Sequence, residues 1–238
     1  MDPYSIPFVA TALDAVHWLV TSLATLLTPF AGTGAAALAV VALTVAVRAL
    51  LIPVGISAVR AELTRRRLAP DLKRLQQRWA RNPQRLQAET LALYRREGTS
   101  PFAGMLPLLA QAPVLSVVYG LFLARTVNGH ANELLPQPFL GVPLGDTLFS
   151  AGIEGALAFA PVLLVLLAVG TVQRALTLRQ AEAPRWTGWL PYLAVPFAAI
   201  APLAAGLYLA VSSAWTLGER ALLRRVLSAR PAASPGTP

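Results

Sequence analysis

Five apolar runs mark the chain: roughly Ala35 to Ile56, Met105 to Leu123, Ile153 to Val172, Trp189 to Pro202 and Leu203 to Leu217. Each is near the ~20 residues a helix needs to cross hydrocarbon. The last two are short for separate spans, with Pro202 as a tight turn between them. Residues 8 to 30 form another apolar stretch, interrupted by Asp14 and His17. No Lys or Arg precedes it, as a signal peptide would require. It reads as an amphipathic helix along the outer interface, ended by Pro29 and Gly32. Residues 57 to 98 hold no run long enough to span but carry helical punctuation. Pro70 can open a helix with Leu72, Leu75 and Trp79 on one stripe. Asn82 and Pro83 read as an N-cap and first helical position, Leu86, Thr90, Leu93 and Tyr94 as the stripe of a second helix, and Gly98 as its stop. The pair would form an antiparallel hairpin.

Composition places these helices in lipid. Charged residues are 13% of the chain, hydrophobic residues 55%, and mean hydropathy is +0.57, whereas soluble domains carry about 25% charged residues. With no cysteine, disulfides, thiolate metal sites and thiol catalysis are excluded. The net charge of +9 is concentrated: eighteen of the twenty Lys and Arg residues lie in 57 to 98, 174 to 185 and the C-terminal segment from Arg220. Five crossings put all three segments on one side, which the positive-inside rule makes cytoplasmic, with the N-terminus outside. The layout is then 1–33 extracytoplasmic with the interfacial helix, 34–56 the first transmembrane helix, 57–100 the basic hairpin, 101–225 four further transmembrane helices, and 226–238 a disordered cytoplasmic tail.

Arg48 is the exception to the sorting, since it lies inside an apolar run. Eight residues separate it from Ile56, about 12 Å along a helix. A charge held in hydrocarbon costs about 2.5–3.5 kcal/mol on insertion scales, so it should face a bundle interior or a wet cavity. Glu154 is the only acidic residue inside or bordering a run, and it begins the third run from the outside. Thr44, Gln111, Gln173, Ser212 and Ser213 are polar residues that could line a shared groove with Arg48. The hairpin offers a basic surface (Arg65, Arg66, Arg67, Lys73, Arg74 and Arg78) to anionic lipid head groups, ribosomal RNA or a cytosolic partner. Only Trp79 and Tyr94 interleave the charge, so specific base recognition is not read, and no DNA partner, cofactor or metal is expected.

Residues 47 to 122 resemble the core of the YidC/Oxa/Alb membrane-insertase family. The matching features are Arg48 with Pro53 five residues on, the basic hairpin, Leu-Ala-Leu-Tyr at Leu91 to Tyr94, and Pro-Leu-Leu-x-Gln-x-Pro at Pro107 to Pro113. Pro202, Leu207, Tyr208 and Ser212 are similar to the family's last-span pattern; Ala204, Leu209 and Ser213 stand where the family usually has Gly, an aromatic and Asn. The resemblance implies an all-α polytopic membrane protein: five transmembrane helices around a hydrophilic groove open to the cytoplasm and the lipid. It places Arg48, Thr44, Gln111, Tyr208 and Ser212 in that groove. It further implies a short bacterial form without a large extracytoplasmic domain, located in the plasma membrane. Its work would be non-enzymatic insertion of nascent membrane proteins, with the ribosome and the Sec translocon as candidate partners. The alternative is a small transporter or channel using Arg48 as a substrate-binding charge, although neither inverted repeats nor paired glycine-broken helices are evident. An intramembrane hydrolase lacks its chemistry, since His17 and His130 lie outside the core spans and Glu154 stands alone. A scaffold that only assists a translocon is a third possibility.

Overall fold

The computed structural model describes residues 7–100, 120–123, 126–127, 130–179 and 185–228. Its helices are α1 (Pro7–Ala31), α2 (Ala35–Leu50), α3 (Ile52–Arg78), α4 (Pro83–Arg96), α5 (Leu148–Leu178), α6 (Ala194–Ile200) and α7 (Leu203–Ser228). A 3-10 helix, Arg185–Leu193, precedes α6. The chain divides into two compact units, one of residues 1–50 and 114–218, the other of 51–113 and 219–238.

In the first unit, α1 and α2 pack together across the short 3-10 turn Gly32–Gly34. Helix α1 runs through Pro29 to Ala31, so Pro29 sits in its last turn and does not end it. Leu13 and Val20 of α1 join Ala36, Ala37, Val40 and Leu43 of α2 in the core, with Phe159, Val162 and Leu166 of α5, Ala198 of α6 and Leu203 to Leu207 of α7. Much of that interface is alanine or glycine. Between helices in lipid there is no hydrophobic gain to be made, so close backbone approach through small residues supplies the van der Waals contact. Gly206 marks the tightest such approach, because an added Cβ would stand 3.2 Å from Val162 Cγ1 and 3.8 Å from Ala198 Cβ.

Chain between the helices packs against α2 and α5 and bonds to the start of α7, with Leu134, Val142 and Leu144 buried in the core. Two short antiparallel ladders, Thr126–Val127 with His130–Ala131 and Pro138–Phe139 with Val142–Pro143, were not expected from the sequence. Leu140 and Gly141 turn the second with positive φ (51° and 85°), the handedness a two-residue hairpin favours. Buried Asn132 donates to the Leu121 carbonyl at 2.8 Å. The Leu203 and Ala204 N–H groups, which a helix start leaves without partners, donate to the Asp146 and Leu144 carbonyls at 2.8 and 2.9 Å. Thr147 and Ser150 cap α5 reciprocally. Gly152 (φ 64°, ψ −155°) then breaks that helix in a conformation open essentially to glycine alone.

The second unit holds the hairpin. Asn82 caps α4 by accepting from the Arg85 N–H at 3.1 Å. Gly98 (φ 61°) ends it, with Gly98 N–H donating to Arg95 O and Thr99 N–H to Tyr94 O, the Schellman arrangement. Helix α3 departs from expectation in two respects. It begins at Ile52, because Pro53 has no N–H to give Ala49 and its ring crowds that carbonyl; the run taken to Ile56 is therefore shared between α2 and α3. It also continues through Pro70 instead of starting there. Pro70 and Arg66 are both exposed, which leaves the unbonded Arg66 carbonyl to water.

Two described stretches are helical, apolar and long enough to cross a membrane: Leu13–Leu50, which joins most of α1, expected along the interface, to α2 of the first expected span, and Gly155–Leu178, which overlaps the third. The second expected span falls, over 105–119, outside the described residues. Trp189 to Pro202 is divided between the 3-10 helix and the seven-residue α6, with Pro191 and Pro196 in the run, each removing a helical donor. The expected break at Pro202 is present, Ala201 being extended (ψ 159°).

Replacing Gly206 by Leu should destabilise the first unit by about 1–3 kcal/mol, as overpacking does, and lower the thermal midpoint in detergent. An unchanged midpoint would show that α5 and α7 are not in contact there.

Candidate functional site

Arg48 sits in the last turn of α2, two residues before the helix ends at Leu50. The rise counted to Ile56 therefore does not measure its depth. What the structure supplies is a partner. Arg48 Nε donates to Ser212 Oγ at 3.0 Å, and Nη2 donates to the same oxygen. Ser212 is buried at 5% exposure, in α7 one turn beyond buried Tyr208. The two helices thus face each other here, and a hydroxyl meets the guanidinium across them. Hydrogen bonds to a charged group are stronger than neutral ones, and a guanidinium holds five donors in a fixed fork.

The other expected groove residues divide. Thr44 is buried one turn before Arg48, but its hydroxyl bonds back to the Val40 carbonyl at 2.7 Å, so it serves its own helix. Tyr208 is buried at 4% on the same helix as Ser212. Ser213 and Gln173 are half-buried. Gln111 lies outside the described residues.

The hairpin residues separate by partner as well. Arg66 pairs with Glu62 at 2.7 Å, Arg67 with Glu97, and Arg74 with Asp71 at 3.3 Å. Arg78 lies 5.4 Å from the Trp79 ring centroid. Arg65 and Lys73 are exposed. Three of the six expected contact residues are thus partly neutralised by carboxylates of their own unit, and exposed pairs of this kind contribute little stability. Between α3 and α4 lies a cleft of about 230 Å³, lined by Asp71, Arg74, Arg78, Glu89, Leu93 and Arg96 among others.

Sequence reasoning passed over three contacts. Arg85 stacks on Trp79 at 4.3 Å, beside Arg78; five basic residues within seven positions of a tryptophan were the available signal. Arg224 reaches Glu62 at 2.7 Å, and the Glu219 carboxylate lies against Gly55, where a Cβ would collide with it. No local pattern announces contacts of that range.

Large apolar side chains stay exposed on α5: Ile153 at 94%, Leu157 at 76% and Leu164 at 64%. On α1, Trp18, Leu26 and Phe30 are likewise exposed. A water-soluble protein rarely presents such continuous apolar surface, whereas a helix bathed in lipid requires it. These features define a mostly helical integral membrane protein. The model of the 60Kd inner membrane protein family matches residues 27–230, and the chain belongs to this YidC/Oxa/Alb family. It is 37% identical over 121 residues to the chloroplastic inner membrane protein PPF-1 of Pisum sativum, covering 50% of this chain and 26% of that one. To the membrane protein insertase YidC of Clostridium perfringens it is 33% identical over 114 residues (48% of this chain, 46% of that one). To the YidC of Streptomyces avermitilis it is 24% identical over 212 residues (77% and 50%). The chain therefore spans about a quarter to a half of the length of these relatives.

Ser212→Ala should remove about 1 kcal/mol of stability, the net worth of a hydrogen bond, measured by unfolding in detergent. Ser213→Ala, at the half-buried neighbour, should not. Equal effects would mean that the Arg48 bond to Ser212 contributes nothing to the folded protein in detergent.

Proposed function

We propose that this protein inserts newly made membrane proteins into a bacterial plasma membrane. The observation that carries the reading is the pairing of Arg48 with Ser212 between two apolar helices, in a chain of the insertase family. Moving a polar segment through bare hydrocarbon is slow, because each unsatisfied backbone group costs several kcal/mol. A hydrophilic groove bounded by α2 and α7, and open to the cytoplasm and the lipid, would shorten that apolar path. In it the Arg48 guanidinium exchanges its hydroxyl partner for the short polar or acidic outer segment of an incoming chain. Tyr208 and Ser212 form the wall on α7. Five crossings, with the N-terminus outside and the C-terminus cytoplasmic, put the basic hairpin where nascent chains emerge, so ribosomes, the Sec translocon and anionic lipid surfaces are its candidate partners. No bond is made or broken. Hydrophobic partitioning drives the apolar segment into lipid, and for acidic tails the membrane potential adds about 2.3 kcal/mol per charge per 100 mV.

The test is insertion of a single-span substrate with an acidic outer segment into vesicles holding only this protein. Arg48→Lys should retain insertion, because the charge remains, and Arg48→Glu should abolish it. Equal insertion by all three forms would remove the charge from the mechanism. Failure of every form without a translocon, against success with one, would make the protein an assisting scaffold. Uptake of a small solute by the same vesicles would favour a transporter.

A further inference from the structure

The 3-10 helix Arg185–Leu193 has two contrasting sides. With three residues per turn, side chains three apart eclipse, so Trp186, Trp189 and Tyr192 form one aromatic row and Leu190 and Leu193 the row beside it. The inner side is seated on the last turns of α5. Gly188 is buried where a Cβ would stand 3.4 Å from Arg174 Cγ and 3.7 Å from Leu178 Cδ2, and the Tyr192 ring lies against Gly170. The Arg174 guanidinium covers the Trp189 ring at 3.8 Å, and the Trp189 and Tyr192 rings are 5.6 Å apart. The outer side is open: Trp186 is 65% exposed, Trp189 59% and Leu193 63%.

We infer that Trp186 and Trp189, on the first turns of this 3-10 helix, are an interfacial anchor whose occupant is phospholipid at the boundary between head groups and acyl chains. Four observations select lipid over a protein partner. The element follows the C-terminal end of α5, the helix whose Gly155–Leu178 stretch is long and apolar enough to cross. Its exposed residues combine two indoles with leucine, and amphipathic aromatic rings are the side chains that settle at this depth. Arg174, Arg179 and Arg185 supply cations to the phosphate layer. Finally, Arg174 is held on the ring of Trp189, so its charge and the indole are fixed at one level. An anchor so placed sets how deep α5 sits and how far it tilts. The inference needs the chain to be membrane-embedded, not to insert other chains.

The chain has five tryptophans: Trp18, Trp79, Trp186, Trp189 and Trp215. Variants retaining only Trp186 or only Trp189, the others changed to Phe, are reconstituted in vesicles of phosphatidylcholine and phosphatidylglycerol. Fluorescence is then quenched by lipids brominated near the head group, by lipids brominated near the chain end, or by aqueous acrylamide. Free N-acetyltryptophanamide gives the aqueous reference. For Trp186 and Trp189 the expected result is stronger quenching by shallow bromine than by deep bromine, and weaker quenching by acrylamide than for the free indole. In the otherwise native chain, Trp186→Phe with Trp189→Phe should reduce the shallow-quenched fraction of the emission. Acrylamide quenching equal to that of the free indole would overturn the inference. So would deeper bromine quenching more strongly, or protection from both quenchers, which would mean that protein covers the face.

Discussion

A guanidinium placed among apolar helices constrains everything packed around it. Left alone in hydrocarbon it costs about 2.5–3.5 kcal/mol on insertion scales, and its five donors call for water or for groups that the surrounding structure brings to it. Here one such group is the Ser212 hydroxyl, 164 residues away in sequence. For that bond to close, α7 must lie against α2 in a fixed register. The rest of the first unit is built to permit this. Alanines at 36, 37, 39, 204 and 205 are all buried, Gly206 lets α7 close on α5 and α6, and the loop carbonyls of Leu144 and Asp146 hold the start of α7.

Two arrangements occur among polar side chains within the helices of this unit. Thr21, Thr25, Thr44 and Thr216 each return a hydroxyl to a carbonyl of their own helix, which hides polarity and leaves helix association to packing. Arg48 and Ser212 instead join two helices. A polar contact between apolar helices of a membrane protein is an expensive place to keep a charge unless the charge has work to do, and this is the physical ground for reading the pair as part of a substrate path. The second unit solves a different problem. It keeps many cations soluble and in a defined geometry, through caps, the carboxylates of Glu62, Asp71 and Glu97, and the Trp79 ring.

What could be read from the sequence followed local rules. The Asn82 cap, the Gly98 stop and the break at Pro202 each depend on a few neighbouring residues with one physical preference, and each is found in place. Arg48 and Ser212 were legible as members of one polar set because polar residues in apolar runs are few. Their direct pairing was not, since register between distant helices leaves no mark in either run. Other misreadings came from treating apolar length as continuous helix. Pro53 divides the first run between α2 and α3, and Pro191 and Pro196 lie in the fourth. Pro70 misled in the opposite sense, because an exposed proline can be carried within a helix. The ladders at 126–143 have strands of only two residues, too short for alternation to register.

The most direct measurement exploits the absence of cysteine from the chain. Arg48→Cys would be treated with a membrane-impermeant thiol reagent from each face of sealed vesicles, with full labelling after denaturation as the reference. If position 48 opens into a hydrated groove on the cytoplasmic side, the reagent labels it from that face and not from the other. Protection from both faces, with complete labelling only after denaturation, would mean that Arg48 and Ser212 close a dry structural contact and that no polypeptide passes there.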